Sequence, residues 1–82
     1  MHIKSDVAIS DSGFVFVPAT GESFTVNPIG AAIIHMLKEN KSVEEVSKQI
    51  FENYKTDMAT VEKDMNDFVA MLKQYSLIDT ND

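Results

Sequence analysis

The sequence predicts an α+β domain: a three-stranded antiparallel N-terminal meander followed by three helices, winged-helix-like in outline. Three observations carry this. The first third of the chain holds short β-type runs separated by two clusters of turn residues, Asp11-Ser12-Gly13 and Pro18-Ala19-Thr20-Gly21; short connections between strands make them antiparallel neighbours. From Pro28 onward the apolar residues recur at spacings of three and four, the period of one helical face. The change of period falls at Asn27-Pro28-Ile29-Gly30, so sheet precedes helix without interleaving. Such segregation puts the helices on one face of the sheet.

The strands are predicted near residues 3–9, 14–18 and 22–27. In the first, Ile3, Val7 and Ile9 occupy odd positions, with Lys4, Asp6 and Ala8 pointing the other way, the pattern of a one-sided strand. Phe14-Val15-Phe16-Val17 is β-branched and aromatic throughout; its composition reads as a strand apolar on both faces and the most buried of the three. Gly13 supplies the positive φ its turn needs. Glu22-Ser23-Phe24-Thr25-Val26 alternates polar and apolar and forms the third strand.

Helices are predicted near 28–39, 43–54 and 58–75. Asn27 caps the first through its side-chain oxygen, and Pro28 suits a first helical position whose N–H has no intrahelical partner. Gly30, without a Cβ, leaves room for close approach of another backbone. The apolar face is Ile29, Ala32, Ile33, Met36 and Leu37, and Asn40 tolerates the left-handed conformation that ends a helix. Ser42-Val43-Glu44-Glu45 is a capping box opening a helix with Val43, Val46, Ile50 and Tyr54 on one face and Phe51 on its flank. The pattern breaks at Lys55-Thr56, and Asp57 caps the third helix, whose stripe is Val61, Met65, Phe68, Leu72 and Tyr75. Leu77-Ile78 returns as a short extended segment and Thr80-Asn81-Asp82 is a frayed tail. No repeat or linker divides the chain, which is read as one domain over 1–82.

Composition narrows the function. The chain has 82 residues, 44% hydrophobic and 24% charged, with no cysteine and a net charge of −6 from seven lysines against thirteen acids. Thiolate chemistry, disulfides and cysteine metal sites are thereby excluded. No signal peptide or membrane span is legible, so the default compartment is the cytoplasm and no membrane partner is expected. The acidic balance repels phosphate backbones. If the second and third helices formed a helix-turn-helix, the recognition helix would present Glu62, Lys63, Asp64, Asn66, Asp67, Lys73 and Gln74. Three acids, two lysines and no arginine make a poor phosphate surface, so nucleic-acid binding ranks third among the readings.

Catalysis has no constellation to rest on. His2 sits at the terminus and His35 on the rim of the first helix, and neither falls in a sequence pattern for acid–base or metal work. Glu44/Glu45 and Asp64/Asp67 read as helix-start charge and solvated face. No phosphate-binding glycine loop, Ser-His-Asp set or metal-ligand spacing is present. The expectation is a protein that is not an enzyme, with no cofactor and no metal. Met36, Met58, Met65 and Met71 read as core filler, with Met71, just off the main stripe, equally suited to an adaptable peptide groove.

The runs Phe24-x-Val26-Asn27-x-x-Gly30-Ala31-Ala32-Ile33, Ser42-Val43-Glu44-Glu45-Val46, Val61-Glu62-Lys63-Asp64-Met65-x-x-Phe68-x-x-x-Leu72 and Leu77-Ile78 resemble the PqqD family, the small peptide chaperones of pyrroloquinoline quinone biosynthesis and, more broadly, recognition elements of ribosomally made, modified peptides. The chain departs from the family pattern at Ile29 (often Thr), at Asn40 (where Asp-Gly is favoured between the first two helices) and at Ser76 (usually Gly), which marks a divergent member.

The resemblance implies a domain that binds the leader segment of a precursor peptide by strand addition and presents it to a modifying enzyme, a radical S-adenosylmethionine enzyme in the family's best-known setting. Carried onto this chain, the peptide-binding residues are Ser23, Phe24, Thr25, Val26, Asp64, Phe68 and Met71. The residues allow this independently: in a meander the third strand is an edge, and Glu22–Val26 contains neither the proline nor the lysine that would protect it. Asp64 would meet a basic leader residue; on the residues alone it is a solvent-facing carboxylate. The alternative is an acidic protein–protein adaptor or homodimer using the same edge.

Overall fold

A computed structural model describes residues 2–54 and 56–79. The chain runs β1 (His2–Ile3), β2 (Ala8–Ile9), β3 (Phe14–Val17), β4 (Glu22–Thr25), α1 (Pro28–Lys38), α2 (Val43–Asn53), α3 (Met58–Gln74) and β5 (Ile78–Asp79). The α+β meander-then-helices architecture is as the sequence predicts. Lys55, part of the expected break between α2 and α3, and residues 80–82, read as a frayed tail, lie outside the described residues.

The predicted first strand is two strands. Val7 N–H donates to the Lys4 carbonyl at 3.1 Å, closing a turn in mid-segment. β1 leaves the meander to pair antiparallel with β5, while β2 stays as the first strand of the sheet β2-β3-β4. His2 is therefore in a strand, not at a loose terminus. Period two survived across the break because the turn returns Val7 to the interior, where Ile3 also lies. Lys38 Nζ donates to the Val7 carbonyl and fastens this turn to α1.

β3 is central but not buried on both faces. Val15 and Val17 are fully buried, whereas Phe14 and Phe16 are 49% and 40% exposed. Helices cover one face of the sheet only, so the residues of alternate parity face solvent. Composition could report an apolar strand but not that its second face lacks a covering layer.

Local signals behave as the sequence indicates. Asn27 Oδ1 accepts from Gly30 N–H at 2.7 Å, Ser42 and Glu45 exchange both capping-box bonds, and Asp57 Oδ1 accepts from Thr60 N–H at 2.7 Å. Helices α1 and α3 end alike. Asn40 and Ser76 take φ of 66° and 61°. Lys41 N–H then reaches the Met36 carbonyl and Leu77 N–H the Leu72 carbonyl, the bond pattern of a Schellman cap.

The core joins Ile3, Val7, Val15, Val17, Ile33, Ile34, Leu37, Val46, Ile50, Val61, Met65, Leu72, Leu77 and Ile78. Each fully buried aliphatic side chain contributes about 1.5–3 kcal/mol of transfer free energy. The helix faces are rotated from the predicted ones. In α1 the buried residues are Gly30, Ala31, Ile33, Ile34 and Leu37, while Ile29 is 38% exposed. In α2, Val46, Ser47 and Ile50 are buried and Phe51 and Tyr54 exposed. Met58, expected as core filler, is exposed as well. No described helix is long and apolar enough to cross a membrane.

Candidate functional site

Strand β4 is an open edge of the sheet. Its register against β3 sets Phe14 opposite Thr25, Val15 opposite Phe24, Phe16 opposite Ser23 and Val17 opposite Glu22. One position further on, Val26 N–H donates to the Gly13 carbonyl at 2.9 Å. Hydrogen-bonded and non-bonded pairs alternate along an antiparallel ladder. Phe24 therefore points its N–H and C=O at β3, and Ser23 and Thr25 point theirs off the open edge. Gly13 fixes this phase: its φ is 90°, and a Cβ there would stand 2.5 Å from the Val26 carbonyl oxygen.

The α3 stripe predicted as one face divides in two. Val61, Met65 and Leu72 are buried in the core. Phe68 and Met71 are half-buried, Tyr75 is 37% exposed, and Asp64 is exposed. Spacings of four, three and four put Asp64, Phe68, Met71 and Tyr75 on a second face, its Met71 and Tyr75 end against β4 and its Asp64 and Phe68 end against the start of α1.

Between the two elements lies an apolar-floored groove. A hollow of about 440 Å³ is lined by Glu22, Ser23, Phe24, Thr25, Val26, Met71 and Tyr75. An adjoining hollow of about 370 Å³ is lined by Asn27, Ile29, Gly30, Ile33, Asp64, Asp67, Phe68 and Met71. Met71 is common to both. Of the seven residues singled out from the sequence, Ser23, Phe24, Thr25 and Val26 line the first hollow, Asp64 and Phe68 the second, and Met71 both. Beyond Asp64 the cleft continues between Ile29, Ile33, Ile50, Tyr54 and Val61.

Sequence reasoning missed Tyr75, Gly30, Ile29 and Asp67 as groove residues. The sequence pattern puts Tyr75 on the core stripe; in the structure its ring meets Phe24, centroid to centroid 5.4 Å. Gly30 was expected to admit a backbone, but it admits side chains. A Cβ there would lie 3.1 Å from both Phe68 Cε1 and Val26 Cβ. The available signal was the spacing 64-68-71-75, a second apolar-edged face on the same helix.

The rim is acidic. Glu22, Asp64 and Asp67 line the two hollows, and no lysine does among the described residues. A basic, partly apolar segment is what this surface favours. No group of three or more potential metal ligands occurs among the described residues. The parts present can bind an extended chain: unpaired edge groups, an apolar floor and a charged rim.

Comparison with known proteins agrees with this geometry. The sequence model of the family described as Coenzyme PQQ synthesis protein D (PqqD) matches residues 13–78. Among solved structures, the chain is similar to TbiB1 in complex with the TbiA(beta) leader peptide: 30% identity, 100% of this chain and 99% of that one covered, TM-score 0.88. It is also similar to a lasso peptide synthetase B1 complexed with the leader peptide: 25% identity, 85% and 84% covered, TM-score 0.73. No curated protein matches.

Proposed function

The chain belongs to the PqqD family, and from that premise we propose that it is a non-catalytic peptide chaperone that binds the leader of a precursor peptide and presents it to a modifying enzyme. The leader adds as a strand to β4, bonding to the outward groups of Ser23 and Thr25. Its inward side chains seat on Phe24, Phe68, Met71 and Tyr75, and Asp64 and Asp67 meet basic residues at the rim. The observation that carries this reading is the open edge facing an apolar groove, in a fold shared with two proteins solved with leader peptides. The edge offers four residues, about 13 Å of strand. So short an added strand gives a small interface suited to a carrier that releases its client. A radical S-adenosylmethionine enzyme as partner is the expectation from the family's quinone branch; the lasso-type neighbours widen the choice to other leader-dependent enzymes.

The test compares Thr25→Pro, Thr25→Ala and, as a remote exposed reference, Lys48→Ala, titrated with a synthetic leader of a precursor peptide identified in the gene neighbourhood. Because the Thr25 N–H points away from β3, proline at this edge removes a docking donor without removing a ladder bond. Thr25→Pro is expected to keep the wild-type circular dichroism and to bind the leader at least tenfold more weakly than Thr25→Ala. Equal binding by folded Thr25→Pro and Lys48→Ala would move the acidic adaptor or homodimer reading into first place.

A further inference from the structure

The strand read as apolar on both faces leaves an unexplained surface. Phe14 and Phe16 stand on the outer face of the sheet, 49% and 40% exposed, on the side away from the helices and from the groove floor. Their cross-strand partners on that face are Thr25 and Ser23, and Ala8 sits opposite Phe16 on the far side. None of these five side chains is charged, in a chain where 24% of residues are. Two neighbouring exposed phenylalanines on the middle strand thus form an uncharged apolar patch on this face.

A second copy of this chain is a poor occupant. Each copy carries a net charge of −6, which opposes self-association. Five side chains, three of them small, also fall well short of the ~800 Å² per partner that a stable interface buries. The face is, however, continuous with the proposed leader site through Ser23 and Thr25. These two residues present their backbone groups to the docking edge and their side chains to the outer face. A strand added to β4 points alternate side chains to that same face, widening the surface by one strand and by the leader's own residues.

We infer that the outer face bearing Phe14 and Phe16, completed by the outward side chains of a docked leader, is the surface through which the modifying enzyme recognises the loaded carrier. The occupant is a folded protein offering an apolar patch, and it reads two chains at once. Loading is thereby coupled to delivery: the empty carrier shows only part of the surface. This inference rests on the leader reading above, and its test keeps the two apart.

The experiment uses the protein, a synthetic precursor leader and a purified leader-dependent modifying enzyme, the latter two taken from its gene neighbourhood once identified there. Wild type is compared with Phe14→Thr/Phe16→Thr, which places β-branched residues on the strand and substitutes no groove residue, although the two positions lie opposite Thr25 and Ser23. Circular dichroism and leader titration come first; both are expected to match wild type, with leader affinity within twofold. Enzyme binding is then measured with and without leader. Leader is expected to tighten wild-type binding at least threefold, and the double variant to weaken binding of the loaded carrier at least tenfold. Unchanged enzyme binding by the folded double variant overturns the inference and leaves the leader reading standing. So does absence of enzyme binding by wild type, loss of leader affinity in the folded double variant, or a wild-type dimer that the double variant abolishes. A double variant that fails to fold is replaced by the single Phe14→Thr and Phe16→Thr variants, held to the same outcomes. Failure of wild type to bind leader overturns both readings.

Discussion

The rings of Phe24 and Tyr75 meet at 5.4 Å between centroids, tilted by 37°. This contact joins the edge strand to the last turn of α3 and closes one end of the groove. The main packing partner of α3 among the helices is α2. An aromatic pair of this kind contributes about 0.5–1.5 kcal/mol beyond its buried area. Tyr75→Ala is therefore expected to lower stability in urea by about 1 kcal/mol and to weaken leader binding. Tyr75→Phe retains both.

Gly30 sits beneath Phe68 and Val26, with 3.1 Å between its missing Cβ and each. Alanine there pushes the Phe68 ring a few tenths of an ångström into the groove. Gly30→Ala should weaken leader binding about three- to tenfold, or ~0.7–1.4 kcal/mol. As a helical position, it gains propensity from the same change. A chemical-denaturation curve beside a leader titration separates the two effects: affinity falls more than stability does.

Much of the fold was legible because its signals are local. Asn27, Ser42 and Asp57 each cap the helix they precede, and Asn40 ends α1 in the left-handed conformation. What escaped depends on which element covers which face. Phe14 and Phe16 look like core until the sheet is seen to have helices on one side only. The first strand hides the Lys4–Val7 turn because Ile3 and Val7 both return to the interior. The site was legible as an open edge and a helix, since β4 lacks proline and lysine. Tyr75 and Ile29 were assigned to the core because helical spacing gives a stripe but not its rotation. α3 uses two stripes, one for Leu72 and one for Met71.

Ser76 holds φ at 61° in the cap of α3, a conformation that costs an L-residue about 1–2 kcal/mol. Glycine relieves it and gives part back through unfolded-state entropy. Ser76→Gly should stabilise the domain by up to ~1 kcal/mol, raising Tm by about 4–8 °C. A calorimetric scan measures this, and leader affinity is expected to stay unchanged.

Two caps make stability depend on acid. The Ser42 backbone N–H holds the Glu45 carboxyl below its ordinary value of 4.5, helped by the Ser42 side chain. The Thr60 backbone N–H likewise holds Asp57 below 3.8. Because both are lowered in the folded state, the unfolded chain takes up protons first as pH falls. Their contribution is complete above these ordinary values and is lost as pH drops through the folded ones. Glu45→Gln and Asp57→Asn keep hydrogen-bonding caps but do not titrate. Urea midpoints collected downward from pH 6 should fall less steeply for each variant than for wild type.

Strand addition to β4 makes its most direct demand on two amides. Ser23 and Thr25 point their N–H groups off the open edge, while Phe24 points its own at β3. Residue-resolved hydrogen exchange, with and without saturating leader, reads these donors individually. The expected result is a slowing of Ser23 and Thr25 by at least tenfold on binding, beyond any change at Lys48. Saturated binding that leaves Ser23 and Thr25 exchanging as fast as in the free protein would contradict docking on this edge.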